Sequence, residues 1–385
     1  QAGTIYAKEK HAHDINLNEH GFFMPSKVYF PNGFQPLVSR CHELGLKFGV
    51  HLMRGIPRKA WELNLSIKGT SYRARDIADT APAQQCKWCQ YNYRVDMSKP
   101  GAQAWYDGLI QHIADLGVDF VKYDDIVPFP DEVEAVAKAI RKTGRPMIFS
   151  LSPGGTVDPA AISSFRMANQ LRVTGDVWDE QSDIDNCFAA WRKWQGKEQP
   201  GFWIDMDMIP FGQLQLMSPT GKGNRAKDKN AVALAGRGAT RWCQLAKPQM
   251  ETFITLRALA ASPLMVGGDL PTMDDYSLSL LTNPDMIACN QNGVMARLVG
   301  EAGQVETWLV EERGTAGKGW IGIFNRNAQS KELVLNATQL GLKENSPYRL
   351  RDIWHPRNFE LPSSNSAAVA LPPHGALFLW FERGK

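Results

Sequence analysis

The sequence predicts an α/β domain on parallel strands, residues 1–292, followed by an antiparallel β-sandwich, residues 293–385. Up to about Gly268, short apolar runs rich in β-formers alternate with amphipathic helical stretches, the grammar of βα units. Beyond Asn292 the runs turn short and alternating, separated by Gly, Asn, Ser and Pro, as sandwich strands are. Two of the early runs, Asp119-Phe-Val-Lys-Tyr-Asp124-Asp125 and Arg172-Val-Thr-Gly-Asp176, end abruptly in carboxylates, with Lys122 and Arg172 close by.

Taken in order, Leu46–Leu52 is the first strand candidate. Ser98 reads as the cap of a helix that begins at Pro100, places Trp105, Leu109 and Ile113 on one face and stops at Gly117. The strand Val118–Asp124 comes next. A helix opens at Pro130-Asp131, turns Val133, Val136, Ala137 and Ile140 inward, and ends at Gly144. Met147–Ser150 is a short buried strand, and Asp158-Pro159 caps another helix. Then come a strand at Leu171–Gly175, a helix near Ile184–Trp194, a strand at Phe202–Asp207, and a long helix leading into Pro263–Gly268. Parallel strands need right-handed crossovers, so this series closes either as an open doubly wound sheet or as a barrel. The sandwich strands are Glu306–Val310, Trp320–Asn325, Glu332–Leu335, Tyr348–Ile353, Ala367–Leu371 and Ala376–Phe381.

Composition narrows the function classes. A net charge of +3 points to neither nucleic acid nor a membrane surface. No apolar run approaches the ~20 residues a bilayer span needs. Gln1 opens directly into polar sequence, the form of a mature exported chain, and a secreted or periplasmic location is the expectation. Twelve Trp and 17 Phe provide aromatic surface of the kind sugar rings stack on, or simply a large core. Six scattered cysteines form no disulfide framework. Cys86-Lys-Trp-Cys89 has zinc-ligand spacing but no matching second pair, which leaves a local disulfide or two reduced thiols. Neither a metal nor a cofactor is expected. Residues 213–245 form an insertion rich in Lys and Arg (Lys222, Arg225, Lys227, Lys229, Arg237, Arg241), read as a solvated loop in preference to an anion site.

Carboxylates at the C-terminal tips of strands are catalytic in barrels, and a pair on different strands is what glycosidic bond cleavage requires. The alternative is that Asp124 and Asp176 only cap the helices after them. Around these residues the chain resembles glycoside hydrolase family 27, the α-galactosidase and α-N-acetylgalactosaminidase group, and most of all its bacterial branch. The resemblance runs from about Phe30 to the end. It rests on Gly45-Leu-Lys-Phe-Gly-Val-His51 with Met53-Arg-Gly-Ile-Pro-Arg58, Gly117-Val-Asp-Phe-Val-Lys-Tyr-Asp-Asp125, Arg172-Val-Thr-Gly-Asp176, Asp205-Met-Asp207-Met, and Ser262-Pro-Leu-Met-Val-Gly-Gly-Asp-Leu270.

The resemblance implies a (β/α)8 TIM-type barrel with a C-terminal sandwich. It also implies a retaining double displacement on a carbohydrate substrate, with Asp124 as nucleophile and Asp176 as acid/base. Lys122 and Arg172 would bind ring hydroxyls, Asp207 would lie beside the reacting ring, His51 would face a hydroxyl or sit as a satisfied rim histidine, and Trp88 would wall the pocket or serve packing. Asp125 and Asp205 would orient cations rather than react. The family's first two βα units have no match here, so an incomplete barrel of about six strands is the expectation. The small residues of Ser150-Leu-Ser152-Pro-Gly154-Gly155 leave room for an acetamido group, with the Ser152 hydroxyl as its partner. The competing readings are a catalytically dead carbohydrate-binding barrel and a related β-L-arabinopyranosidase.

Overall fold

Four parallel strands frame the first part of the chain: β1 (Gly49–Met53), β2 (Phe120–Asp124), β3 (Ile148–Leu151) and β4 (Gln170–Arg172), adjacent in that order. The computed structural model describes residues 15–153, 157–215, 240–361 and 368–384. It divides into two compact units, Gln1–Val173 with Met217–Ala239, and Thr174–Leu216 with Thr240–Lys385.

In the first unit, His51 stands opposite Lys122, Lys122 opposite Ser150, and Ser150 opposite Gln170. Side chains alternate across a sheet, so this row and the tips Asp124 and Arg172 share one face. The other face carries Val121, Tyr123, Phe149, Leu151 and Leu171, all buried. Helix α2 (Ala102–Asp115) covers it, its Tyr106 ring edge-on to Tyr123, whose ring in turn meets Phe149. Helix α1 (Gln35–Glu43) precedes β1, and α3 (Pro130–Thr143) comes after β2. Helix α3 starts on its proline and ends at Gly144 in the left-handed region (φ 70°), as its sequence signals require.

Several boundaries shift by a few residues from the sequence reading, and two helix starts differ in kind. Helix α2 begins at Ala102 behind Gly101 (φ 93°), not at Pro100. Ser98 does not cap it, because the Ser98 N–H and hydroxyl both donate to Asp96 Oδ1 (3.0 and 2.6 Å) and close a local turn instead. Asp158 does cap, accepting from the Ala160 N–H at 2.9 Å, but the element it opens is only a 3₁₀ segment, Pro159–Ser164.

The second unit begins with α4 (Gln181–Trp194), β5 (Trp203–Asp205) and β6 (Met208–Ile209). Helix α5 (Lys247–Leu259) leads to β7 (Met265–Val266), which pairs with β6 in parallel, Met265 opposite Met208. The run Phe202–Asp207 is therefore not one strand. Asp205 Oδ1 accepts the Asp207 N–H at 2.7 Å, and Asp207 takes a left-handed conformation (φ 69°) that turns the chain.

After α6 (Pro284–Gln291), capped by Asn283, come the sandwich strands: β8 (Arg297–Ala302), β9 (Val305–Glu312), β10 (Thr315–Asn325), β11 (Lys331–Val334), β12 (Tyr348–Asp352), β13 (Asn358–Leu361), β14 (Ala368–Leu371) and β15 (Ala376–Arg383). One sheet has the order β8-β9-β10-β15-β12-β13 and the other is β11-β14. Leu309, Ile321, Ile323, Leu350, Leu371 and Leu379 belong to the core of this domain. Strands β8 and β13 escaped the sequence reading. β8 has no fully buried position and β13 is only four residues long with one, so neither leaves a strong apolar run in the sequence.

In the 213–245 insertion, Gln213–Leu214 pairs with Arg241–Trp242, and Arg241 forms an ion pair with the buried Asp179. That cation is structural. Lys222, Arg225, Lys227, Lys229 and Arg237 lie outside the described residues. Cys86 and Cys89 are both buried free thiols. Among the described residues no helix is long and apolar enough to cross a membrane.

Candidate active site

Asp124 closes β2 and is the best-defined part of the site. Its side chain is 13 % exposed, and its Oδ2 lies 3.1 Å from His51 Nε2, while His51 itself is 48 % exposed. Its Oδ1 accepts the N–H of Asp125 at 2.9 Å, and Asp125 itself turns the chain in a left-handed conformation (φ 57°). Burial pushes the Asp124 carboxyl up. The His51 hydrogen bond and the charges of His51, Lys122 and Arg172 outweigh that push and hold it below the ordinary carboxylate range. A carboxylate kept ionised at a strand tip, half open to solvent on the His51 side, is equipped for nucleophilic attack.

The sign of that shift makes a prediction. Replacing His51 by Phe removes the hydrogen bond and a positive neighbour, so Asp124 should titrate at higher pH. The acid limb of kcat/KM should move upward relative to wild type. An unmoved limb would mean that His51 does not act on Asp124.

Behind the tip lies a buried ionic cluster that sequence reasoning did not single out. Arg54, 4 % exposed, donates Nε to the Asp125 carbonyl at 2.8 Å, sits 2.9 Å from Asp125 Oδ2, and gives Nη2 to the Gln84 carbonyl at 2.7 Å. Its guanidinium stacks 3.7 Å from the Phe129 ring centre. This clamp fixes both the main-chain carbonyl and the side chain of Asp125, the residue directly after the nucleophile. Gly55 is obligatory next to it: at φ 90°, a Cβ would meet the Tyr93 carbonyl oxygen at 2.0 Å.

The cluster continues to Glu132, fully buried, 3.7 Å from Arg54 Nη1 and accepting a hydrogen bond from the Tyr106 hydroxyl. Burial drives the Glu132 carboxyl up to about 7 against the pull of Arg54 and Tyr106. A folded-state value above the unfolded one contributes stability that is complete below the ordinary glutamate pKa and is lost as pH rises through about 7. Wild-type Tm should therefore fall between about pH 4.5 and 7, and Glu132→Gln should flatten that slope. Equal slopes in a thermal melt series would rule Glu132 out as the cause.

Asp176 lies in the second unit, exposed, four residues past the end of β4. Its neighbour Val177 donates its N–H to Asp207 Oδ2 at 2.8 Å, and Asp207 is 7 % exposed. Asp207 thus anchors the segment that carries Asp176. Ser262 supports this turn from below, accepting the Met206 N–H at 3.0 Å, and the fully buried Arg257 donates to the Met208 carbonyl at 3.3 Å.

The other expected site residues fall at these places. Lys122 is half-buried on the Asp124 face, and Arg172 is 8 % exposed at the tip of β4; both act electrostatically on Asp124. Trp88 is half-buried in a loop whose Cys86 thiol lies beside Asp125, and burial with that neighbouring charge pushes Cys86 up to about 12. Ser152 is on the same face of the sheet but fully buried, its hydroxyl without a partner among the described residues. In this conformation it offers no surface to an acetamido group. Gly154 and Gly155 lie outside the described residues.

Residues 302–381 match the alpha galactosidase C-terminal beta sandwich domain. Over the whole chain, the fold is similar to a variant of a family 27 β-L-arabinopyranosidase from Geobacillus stearothermophilus solved in complex with arabinose (TM-score 0.87, 32 % identity, covering 100 % of this chain and 88 % of that one). It is also similar to a candidate α-N-acetylgalactosaminidase from Bacillus halodurans (TM-score 0.79, 34 % identity, 96 % and 84 % covered). The guar (Cyamopsis tetragonoloba) α-galactosidase is 23 % identical over 363 residues, 92 % of this chain and 71 % of that protein. The parallel strands with carboxylates at their tips, followed by this sandwich, are the TIM-type barrel and β-sandwich of those structures, and the chain belongs to glycoside hydrolase family 27.

Proposed function

We propose that this glycoside hydrolase is a retaining exo-enzyme acting on terminal galacto-configured pyranosides, α-linked galactose first among them. The observation that carries the reading is Asp124, held ionised by His51 at 3.1 Å and by the Lys122 and Arg172 charges. In the first step an Asp124 oxygen attacks the anomeric carbon while Asp176 gives its proton to the departing glycosidic oxygen. In the second, Asp176 takes a proton from water, which displaces Asp124 from the sugar. Lys122 and Arg172 bind ring hydroxyls, and Asp207 holds the acid-bearing segment next to the reacting ring. Acceptance of N-acetylgalactosamine loses the support it drew from Ser152, because that hydroxyl is fully buried.

The arabinose-bound relative, at 32 % identity, favours a second reading, a β-L-arabinopyranosidase. That sugar has the ring-hydroxyl arrangement of α-galactose and lacks only its exocyclic CH₂OH. Nitrophenyl α-galactoside, its N-acetylamino analogue and β-L-arabinopyranoside, compared by kcat/KM, decide between them, with α-galactoside expected to lead. Proton NMR of the first-formed sugar should show the anomeric configuration of the substrate. Net inversion would overturn the double displacement, as would a carboxyl separation of ~6.5–9.5 Å between Asp124 and Asp176 in a crystal structure, where ~5–5.5 Å is expected.

A further inference from the structure

At the start of β5, the end opposite Asp205 and Asp207, the second unit contains an open cleft of about 610 Å³, within the range of small-molecule sites. Three tryptophans line it, Trp203, Trp320 and Trp380. Trp320 and Trp380 are direct neighbours across β10 and β15. The Arg351 guanidinium lies 5.6 Å from the Trp380 ring centre and is fixed by a two-point ion pair with Asp285, 2.8 Å at each contact. Indole rings held in place on a sheet are rigid platforms of low conformational entropy.

The polar lining decides what kind of ligand fits. Two carboxylates, Asp285 and Glu312, and two cations, Arg313 and Lys318, border the cleft, so their formal charges cancel. Lys318 pairs with Glu312 at 2.8 Å, and Arg313 donates to the Gly293 carbonyl at 3.0 Å. With Asp285 paired to Arg351 and Glu312 to Lys318, the excess is the single positive charge of Arg313, too little to select a phosphorylated or multiply acidic ligand. A purely apolar one would leave these groups poorly solvated. The indole N–H of Trp320, a residue only 5 % exposed, has no hydrogen-bond partner among the described residues. Aromatic faces bordered by balanced donors and acceptors suit a neutral pyranose, which offers an apolar ring face and hydroxyls around its edge.

We infer that this cleft is a second carbohydrate-binding site, at the end of β5 away from Asp205 and Asp207, that holds a neutral pyranose of the glycan carrying the substrate. The inference rests on the chain being a glycoside hydrolase and not on the roles given to Asp124 and Asp176.

Native electrophoresis through gels containing galactomannan or arabinogalactan tests it, alongside kcat/KM on the preferred nitrophenyl glycoside. Wild type should be retarded in at least one polysaccharide. Trp380→Ala removes a platform, and Ala288→Arg fills the cleft from an exposed position on α6 without deleting any packed side chain. Both should weaken retardation at least about fivefold, with kcat/KM on the small glycoside within about twofold of wild type. Trp380→Phe should retain most of the binding. Retardation of a wild type that turns over no nitrophenyl glycoside would support this site while removing the proposed activity. Unretarded wild type in both gels, or retardation unchanged in the folded Ala288→Arg variant, overturns the inference.

Discussion

Replacing Asp124 by alanine is expected to abolish turnover of every glycoside, by about 10⁴-fold or more, whatever the leaving group. The reason is that no other described carboxylate combines a strand-tip position with the His51, Lys122 and Arg172 environment that keeps Asp124 ionised. Without it there is no glycosyl-enzyme, and better departure of the aglycone does not restore one. A small anion such as azide in the vacated space should attack from the same side as Asp124 did. The azide product would then carry the inverted anomeric configuration. Stopped assays with a dinitrophenyl glycoside, and NMR of any azide adduct, check both points. Residual activity within tenfold of wild type would remove Asp124 from the mechanism.

Asp176→Ala should behave differently, because an acid matters only in proportion to how much protonation the leaving group needs. With alkyl or sugar aglycones the loss should approach ~10³–10⁴-fold, whereas an activated phenol should leave at close to the wild-type rate in the glycosylation step. The glycosyl-enzyme then accumulates, since its hydrolysis lacks a general base. Azide needs no deprotonation, so it should accelerate that second step and give an azide of retained configuration. The opposite stereochemistry of the two azide products separates the roles. An equal loss on all leaving groups would mean that Asp176 positions the chain or the sugar rather than moving protons.

The two carboxylates are supported in different ways. The Asp124 carboxylate is held by the His51 ring and the Asp125 N–H, and Arg54 in turn clamps Asp125. Asp176 is held through the main chain, by Val177 on Asp207, so Asp207→Asn should disturb the acid while leaving Asp124 ionised. In burst kinetics this would appear as a slowed protonation-dependent step with an intact nucleophile.

The sequence alone determined the alternation of strands and helices and the change to a sandwich. The physical reason is that side-chain direction repeats every two residues in a strand and every 3.6 in a helix, so burial leaves a local trace in the order of residue types. That trace is enough to tell the buried Val121 and Tyr123 from Lys122 and Asp124 by residue order alone. Where the trace is short, reading failed: Phe202–Asp207 looked like one strand, because a carboxylate turning its own backbone back has no periodic signature. The partners of the site were a matter for tertiary structure. His51 meets Asp124 across 73 positions, and Arg54 clamps Asp125 across 71. Periodicity carries no information over such distances; only the register of β1 against β2 sets them side by side. The same holds for Ser152, whose small size was legible but whose complete burial was not, since burial depends on what the rest of the fold lays over it.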